Sequence, residues 1–230
     1  MPGPEGASKT GSAARCCELV VDYRHPSGAV RALDRVDATF PRAQLSVITG
    51  PSGSGKSSLL RTLAGLQRPR AGRVEIDGRD IGRLGTRQRR WLRRRTIGVV
   101  LQDPADNLIA YLTAREQVEL AARLRGADPA EALELLEAVG LAYRQDSGPA
   151  ELSGGEQQRV AFAAGAIGPP SLLLADEPTA ELDSAAAATL IATVRALVDR
   201  GATVVLTSHD QAVVAVADHV VRLRDGRVSP

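Results

Sequence analysis

The stretch GPSGSGKSS, at residues 50–58, decides how the rest of this sequence is interpreted. It fills every fixed position of the pattern G-x-x-x-x-G-K-[ST], with Gly50, Gly55, Lys56 and Ser57. The apolar run LSVIT precedes it, and a helical pattern, SSLLRTLAGL, follows at residues 57–66. A buried strand leading through a glycine loop into a helix predicts a phosphate-binding loop, because a glycine-rich surface turn would not need these flanking elements.

The residue types of this loop suit a nucleotide. Glycines allow the close backbone approach by which N–H groups surround a phosphate, and the helix adds its positive end to the same anion. Lys56 is expected to reach the β- and γ-phosphates, and the Ser57 hydroxyl to ligate Mg²⁺. The residues predicted to bind the nucleotide here are Gly50, Pro51, Ser52, Gly53, Ser54, Gly55, Lys56, Ser57 and Ser58.

Composition narrows the class of protein. A chain of 230 residues with 43% hydrophobic and 24% charged residues is typical of a globular protein. Its formal net charge of +2 argues neither for nor against nucleic acid. No apolar run approaches the roughly 18 to 20 residues that span a bilayer, and the first residues lack the apolar core of a signal peptide, so a cytosolic protein is expected. Residues 1–16 are predicted to be a disordered tail and 17–230 the folded domain, with Cys16 and Cys17 as reduced thiols.

The alternation of short apolar runs with helical patterns predicts an α/β fold. Continuous apolar runs at residues 45–49, 97–102, 171–176 and 202–209 are typical of a parallel sheet covered on both faces. The runs ELVVDY, RVDATF and GRVEIDG alternate instead, which predicts an antiparallel sheet.

Residues 103–164 change to a helical character, so we expect a small helical subdomain inserted into the α/β core. Thr113 and Glu116 form a capping box before a helix that Gly126 closes, and Asp128 with Pro129 begins another. The basic run RQRRWLRRR, at residues 87–95, is predicted to be a solvated helix face. Nucleic-acid binding is the lesser alternative, because Trp91 is the only aromatic residue in the run.

Four polar residues follow predicted strands at the edge where α/β sheets bind ligands. Asp176 is expected to hold Mg²⁺, and Glu177 to act as the general base that activates water toward the γ-phosphate. His209 is expected to contact the γ-phosphate, and Gln102 to contact both Mg²⁺ and the attacking water. A lone Asp-Glu pair would mean little, but one that follows a strand downstream of a phosphate-binding loop is specific.

A second glycine pair opens a helix in ELSGGEQQRVAF. Ser153 and Glu156 match a capping box, and Gly154 and Gly155 leave the helix amides unobstructed. A purely structural cap is the alternative that these residues alone leave open.

With these motifs in place, residues from about 18 to 228 resemble the ATP-binding subunit of an ABC transporter, of which LSGGEQ is the signature. The resemblance implies a RecA-like P-loop NTPase core, with ATP and Mg²⁺ as cofactors. It also implies that two cassettes pair head to tail, so that Ser153, Gly154, Gly155 and Glu156 of one face the ATP held by the other. Tyr23 corresponds to the aromatic that stacks on adenine, Asp183 to the loop linking the two sites, and Gln102 to the glutamine that senses magnesium.

Three positions depart from the family pattern. Ser58 stands where a threonine is common, no arginine lies near Ala164, and DNLIAYLTAREQ replaces the familiar aromatic after Gln102. Hydrolysis is still expected, because Lys56 and the predicted catalytic residues after the strands are all present.

Segments including AVRALDRV and LLLADEPTAELDS are similar to the lipoprotein-releasing and macrolide-exporting branch. This resemblance implies a homodimer that drives a separate membrane permease from the inner face of the plasma membrane. The alternatives are a cassette ATPase acting on nucleic acid or ribosomes, which no inserted module supports, and a small-molecule P-loop kinase, which leaves the signature without a role. The cargo is not encoded in this chain.

Overall fold

The fold is taken from a computed structural model that describes residues 11–26 and 28–229. The strands are β1 (Ser12–His25), β2 (Gly28–Pro41), β3 (Leu45–Thr49), β4 (Ala71–Ile76), β5 (Arg79–Asp80), β6 (Ile97–Val100), β7 (Leu172–Asp176), β8 (Val204–Thr207), β9 (His219–Arg224) and β10 (Arg227–Ser229). The α-helices are α1 (Lys56–Leu63), α2 (Thr86–Arg95), α3 (Ala114–Arg125), α4 (Glu131–Ala138), α5 (Gly154–Ala166), α6 (Ser184–Asp199) and α7 (Gln211–Ala215).

A six-stranded sheet forms the centre of the molecule, in the order β10-β9-β3-β8-β7-β6. The five strands from β9 to β6 are parallel, and β10 pairs antiparallel with β9. The four predicted parallel strands are confirmed. Because the carboxyl ends of parallel strands meet at one edge, β3, β7 and β8 bring the glycine loop, Asp176 and Thr207 together there.

Both faces of this sheet are covered. Along β7, Leu173 and Ala175 belong to a core shared with α3, α5 and α6, whereas Leu172 and Leu174 belong to a core shared with α1 and the second sheet. Burial on both faces is the reason that these strands are continuously apolar.

The second sheet is antiparallel, in the order β2-β1-β4-β5, as the alternating runs predict. The predicted tail boundary at residue 16 is wrong, because β1 begins at Ser12. Ala14 pairs with both Phe40 and Ile76 and is buried, so small apolar side chains in this segment hold it in the sheet. The predicted disorder of residues 1–10 lies outside the described residues. Cys16 and Cys17 are free thiols, and burial raises the pKa of Cys16.

Between β6 and β7 the chain is helical and contains α3, α4 and α5, with one short 3₁₀ turn before α3 and two between α4 and α5. The capping box of Thr113 and Glu116 and the left-handed Gly126 bound α3, as predicted. The second predicted helix starts later: Asp128 accepts a hydrogen bond from Ala130 N (2.9 Å) in a turn, and α4 begins at Glu131.

The C-terminal end of α5 is held from α3, where the family's usual arginine is missing from the sequence. The guanidinium of Arg125 donates to the carbonyls of Ala164 (3.1 Å) and Ile167 (2.6 Å). Burial lowers the pKa of Arg125 to about 10. Arg125 therefore anchors the C-terminal end of α5 to α3 at the level of Ala164.

Within the described part of the chain, none of the helices combines the length and the apolar character needed to cross a bilayer.

Candidate active site

Two positions in the loop between β3 and α1 require glycine because neighbouring backbone leaves no room for a side chain, in addition to any need for phosphate binding. A Cβ on Gly50 would lie 2.1 Å from the carbonyl oxygen of Leu223 in β9, and one on Gly55 would lie 2.5 Å from that of Ala32 in β2. Both clashes are with backbone, so neither position accepts a side chain without moving a strand. Gly53, at φ 75°, faces open space instead.

Lys56 is buried at the start of α1 with its side chain curled back over the loop. Its ammonium donates to the carbonyls of Gly50 (3.0 Å) and Pro51 (3.2 Å), and it lies 3.6 Å from Glu177 Oε1. The only lysine in the described part of the chain thus sits at the centre of the loop and faces an acidic residue at the end of β7.

The remaining loop residues line the same turn. Pro51, Ser52 and Gly53 are exposed, and Ser54 is buried. Ser58 lies on α1, where its carbonyl accepts from Thr62 Oγ1 (2.6 Å). The exposed tip of the loop is therefore open to a ligand, while its base is packed.

Asp176 ends β7 and is only 1% exposed. Its Oδ1 accepts hydrogen bonds from Ser57 Oγ (3.1 Å) and Thr207 Oγ1 (2.7 Å), whereas its buried Oδ2 has no partner among the described residues. A buried carboxylate oxygen without a donor is costly unless a cation or water binds it. With the Ser57 hydroxyl beside it, the site fits Mg²⁺, which takes few protein oxygens and completes its shell with phosphate and water.

Glu177 leaves the strand in a left-handed conformation, with φ 46°. Its amide donates to Thr207 Oγ1 (2.8 Å), and its carboxylate lies between Lys56 and His209, whose Nδ1 is 2.8 Å from Oε2. The His209 side chain is 68% exposed. The Glu177 side chain itself is 16% exposed. A partly exposed carboxylate that is oriented by a histidine is placed to accept a proton from water.

Sequence reasoning missed Thr207. Its hydroxyl donates to Asp176 and accepts from the amide of Glu177, so one side chain positions both acidic residues. The sequence signal for Thr207 is a hydroxyl residue at the end of an apolar strand, two residues before His209. Sequence alone does not distinguish such a residue from an ordinary polar residue that ends a strand.

Two predicted residues lie apart from this cluster. Gln102 is exposed, and among the described residues no hydrogen bond joins it to Ser57 or Asp176. It lines a polar pocket together with Arg61, Gly154 and Glu181. Its predicted contact with Mg²⁺ and water stays a prediction.

Tyr23 lies on β1 opposite Val30, partly buried at the edge of the core beneath the antiparallel sheet. Its predicted stacking on adenine also stays a prediction.

The second glycine pair begins α5 as the capping box predicts. Ser153 N donates to Glu156 Oε2 (2.9 Å), and Glu156 N donates to Ser153 Oγ (3.3 Å). Glu156 Oε1 also accepts from Tyr143 (3.0 Å) and Arg144 (3.2 Å). These bonds, chiefly the one from the Ser153 backbone, lower the pKa of Glu156 to about 2.

The loop after β7 approaches this helix start closely. A Cβ on Gly154 would lie 2.7 Å from Glu181 Oε2, and one on Gly155 would lie 3.0 Å from Leu182. Asp183 caps α6 by accepting from Ala186 N (2.8 Å). Within one chain, the signature therefore contacts this loop, whereas the phosphate-binding loop contacts β2, β9 and the residues at the end of β7.

Comparison with known proteins agrees with this arrangement. The sequence model of the family described as ABC transporter matches residues 33–180. Over 203 residues the chain is 42% identical to the macrolide export ATP-binding/permease protein MacB of Rhodospirillum rubrum, covering 86% of this chain but only 31% of that protein. An uncharacterized ABC transporter ATP-binding protein of Thermotoga maritima is also 42% identical over 203 residues, with 86% of each chain covered.

A solved structure shares the fold. The ATP-binding cassette MJ0796, in a dimeric post-hydrolysis state bound to ADP and Pi, matches with a TM-score of 0.89 and 34% identity, covering 94% of this chain and 97% of that one. With the phosphate-binding loop, the acidic strand end and the signature helix all in place, the chain belongs to the ABC transporter family as an ATP-binding cassette.

Proposed function

We propose that this chain is the ATP-hydrolysing subunit of an ABC transporter and that it binds MgATP at a head-to-tail dimer interface. The observation that supports this most directly is the cluster at the strand ends, where Lys56 and His209 lie on either side of the Glu177 carboxylate and Ser57 lies beside Asp176.

The residues divide the reaction between them. Lys56 and the loop amides bind the β- and γ-phosphates. Glu177 accepts the proton of the attacking water, and His209 orients the Glu177 carboxylate. Ser57 and Asp176 would hold Mg²⁺, with Gln102 as a further contact. When bound, the ion would neutralise charge on the phosphate oxygens.

The second half of each site comes from another chain in this proposal. Ser153, Gly154 and Gly155 present a helix N-terminus that suits a phosphate. Yet Ser153 bonds to Glu156 in its own helix, and the glycines lie against the loop after β7 rather than beside Lys56. The dimeric state of MJ0796 bound to ADP and Pi supports the same arrangement here. Tyr23 would stack on adenine, and Asp183 would link the two sites.

The partner in the membrane is proposed by analogy with the relatives. MacB is named as an ATP-binding and permease protein, and this chain matches 31% of its length. A separate permease of the exporting or lipoprotein-releasing type would supply the remainder, with this chain bound at the inner face of the plasma membrane.

Trapping of a dimer tests the shared site. The variant Glu177→Gln should bind ATP without hydrolysing it and elute as a dimer in size-exclusion chromatography only when ATP is present. Adding Ser153→Arg should abolish the dimer, whereas adding Ser171→Arg, at an exposed serine outside both motifs, should leave it intact. A Glu177→Gln variant that retains ATP as a monomer would contradict the proposal.

Recovery of partners tests the transport role. Affinity purification from the native membrane should recover a multispanning permease in stoichiometric amount. Recovery of ribosomes or DNA in its place would assign the chain to a non-transport ATPase, and stoichiometric phosphate transfer to a small molecule would make it a kinase.

A further inference from the structure

The segment that runs from α1 to the end of α2 carries a large excess of positive charge, and α2 contributes six of its arginines. Residues 61–95 contain twelve arginines and three acidic residues, a net charge of +9 in a chain whose overall formal charge is +2. The rest of the sequence is therefore acidic on balance, and the basic charge is concentrated on one segment. Such asymmetry indicates an anionic partner for that segment.

Three of the six arginines of α2 lie on one exposed side of the helix. Arg87, Arg90 and Arg94 are exposed and recur at intervals of three and four residues, and Trp91 lies among them with 54% of its surface exposed. Leu92 points into the core and fixes which side faces outward. The exposed side is therefore basic with one large aromatic residue.

These arginines have no acidic partners in the part of the chain that the structure describes. All the carboxylates within 4.0 Å of a described arginine belong to other pairs, such as Arg83 with Asp80. Arg93 donates to the carbonyl of Gly65 (3.0 Å) instead, and Arg94 to that of Leu124 (2.8 Å). Burial, followed by repulsion from Arg89 and Arg90, lowers the pKa of Arg93. An external anion would relieve this repulsion.

Exposed apolar side chains border the basic residues. Arg93 contacts the backbone next to Leu66, which is 45% exposed, and Arg94 contacts the backbone of Leu124, which is 42% exposed. With Trp91, these leucines add apolar surface to a cationic face. We refer to Leu66, Arg87, Arg90, Trp91, Arg94 and Leu124 together as the α2 patch.

We propose that the α2 patch binds the surface of an anionic phospholipid bilayer. Arginines pair with lipid phosphates, while tryptophan and leucine enter the boundary between headgroups and acyl chains, so the mixed chemistry of the patch matches that surface. A polynucleotide would also pair with the arginines. However, it would leave the leucines without an apolar partner, and one tryptophan offers a stacking surface for only one base. This contact is with the lipid itself and does not depend on the proposed ATPase activity or on a permease.

Vesicle binding by the purified full chain tests the proposal. The chain should sediment with vesicles of phosphatidylcholine mixed with phosphatidylglycerol, should remain free with phosphatidylcholine alone, and should be released by salt. Trp91 is the only tryptophan in the sequence, so its fluorescence reports on the patch directly. Its emission should shift to shorter wavelength when anionic vesicles are added.

Two double variants distinguish an effect of the α2 patch from an effect of the net charge of the chain. Arg87→Gln with Arg90→Gln should weaken partitioning about 30-fold, because each arginine near an anionic surface contributes about fivefold. Arg15→Gln with Arg35→Gln removes the same charge from exposed positions on β1 and β2 and should leave partitioning nearly unchanged. Circular dichroism and ATP binding verify that each variant is folded.

Three results would overturn the proposal: equal binding to neutral and anionic vesicles, equal weakening by the two variant pairs, or displacement from vesicles by duplex DNA that the chain binds more tightly. Loss of ATP-dependent dimerisation with vesicle binding intact would instead count against the proposed function alone.

Discussion

At the scale of single residues, one threonine side chain positions two neighbouring acidic residues that differ in burial and orientation. Asp176 is buried and accepts from Thr207 Oγ1, whereas the backbone of Glu177 turns away at φ 46° and its side chain reaches His209. The Thr207 hydroxyl holds both the first carboxylate and the amide of the second. We therefore assign Thr207 a positioning role for the pair.

The variant Thr207→Val tests this role. It leaves the amide of Glu177 without its acceptor and Asp176 with the Ser57 hydroxyl as its remaining donor. Turnover should therefore fall about 100-fold, as expected when a reacting group is displaced by about an ångström. ATP binding should be affected less, since Lys56 and the loop remain. Steady-state kinetics separates the effect on kcat from that on KM.

Thr193→Val is the matched control. Thr193 is also buried, and its hydroxyl donates to the carbonyl of Ala138 (2.7 Å) in the helical insertion. Both variants should lose about 1 to 3 kcal/mol of unfolding free energy in urea titrations, but Thr193→Val should keep normal turnover. Equal turnover in the two variants would show that Thr207 is only structural.

At the scale of elements, α5 depends on a capping box that is stronger than the similar box on α3. Both boxes join a hydroxyl and a glutamate three residues apart, but Glu156 has additional donors in Tyr143 and Arg144. The start of the signature helix is consequently tied to the 3₁₀ turn Ala142–Arg144, which follows α4. Its glycines are held in place before any partner binds.

The charge of Glu156 makes this stabilisation dependent on pH. Because folding lowers its pKa from about 4.5 to about 2, the carboxylate stabilises the fold fully above about 4.5, and the contribution is lost as the pH falls toward 2. The difference in unfolding free energy between the natural chain and Glu156→Gln should therefore be largest near pH 7 and should disappear with acid.

Urea titrations at several pH values measure this difference. Glu116→Gln, in the box on α3, is the control: folding also lowers the pKa of Glu116, through bonds from Thr113 alone, so its pH dependence should have the same sign and a smaller size. A Glu156→Gln effect that is constant with pH would contradict the assignment.

The elements also show where sequence patterns fail. The strands β3, β6, β7 and β8 were predicted because burial on both faces makes them continuously apolar. β9 lies near the sheet margin, where Arg222 and Arg224 face solvent, and β10 has three residues, so neither carries that pattern. The position of β9 beside β3 follows from pairing between strands that are distant in sequence, and β10 in turn pairs with β9.

At the scale of the whole molecule, complementation between inactive chains tests whether each site is shared. Lys56→Ala destroys the phosphate-binding loop and Ser153→Arg destroys the signature, so each variant alone should be inactive. In a mixed head-to-tail dimer, one site receives both defects and the other receives none. An equimolar mixture should therefore recover about a quarter of the natural ATPase rate, since about half of the dimers are mixed.

A chain carrying both Lys56→Ala and Ser153→Arg controls for exchange of subunits. Mixed with either single variant it should recover nothing, because every site then retains at least one defect. Failure of the two single variants to complement each other, with mixed dimers shown by differential tagging, would mean that each chain encloses its own nucleotide.

The sequence by itself determined the motifs and the order of the elements, because periodicity, helix caps and glycine loops depend on neighbouring residues. Only the tertiary structure decided which of these motifs meet. Ser57 reaches Asp176 across 119 positions, and Thr207 reaches it across 31, because β3, β8 and β7 are adjacent in the sheet. The tertiary structure also explains why position 50 requires glycine. The carbonyl of Leu223, which would obstruct a Cβ there, belongs to a strand that is distant in sequence. Contacts of this kind depend on strand order, which local patterns do not contain.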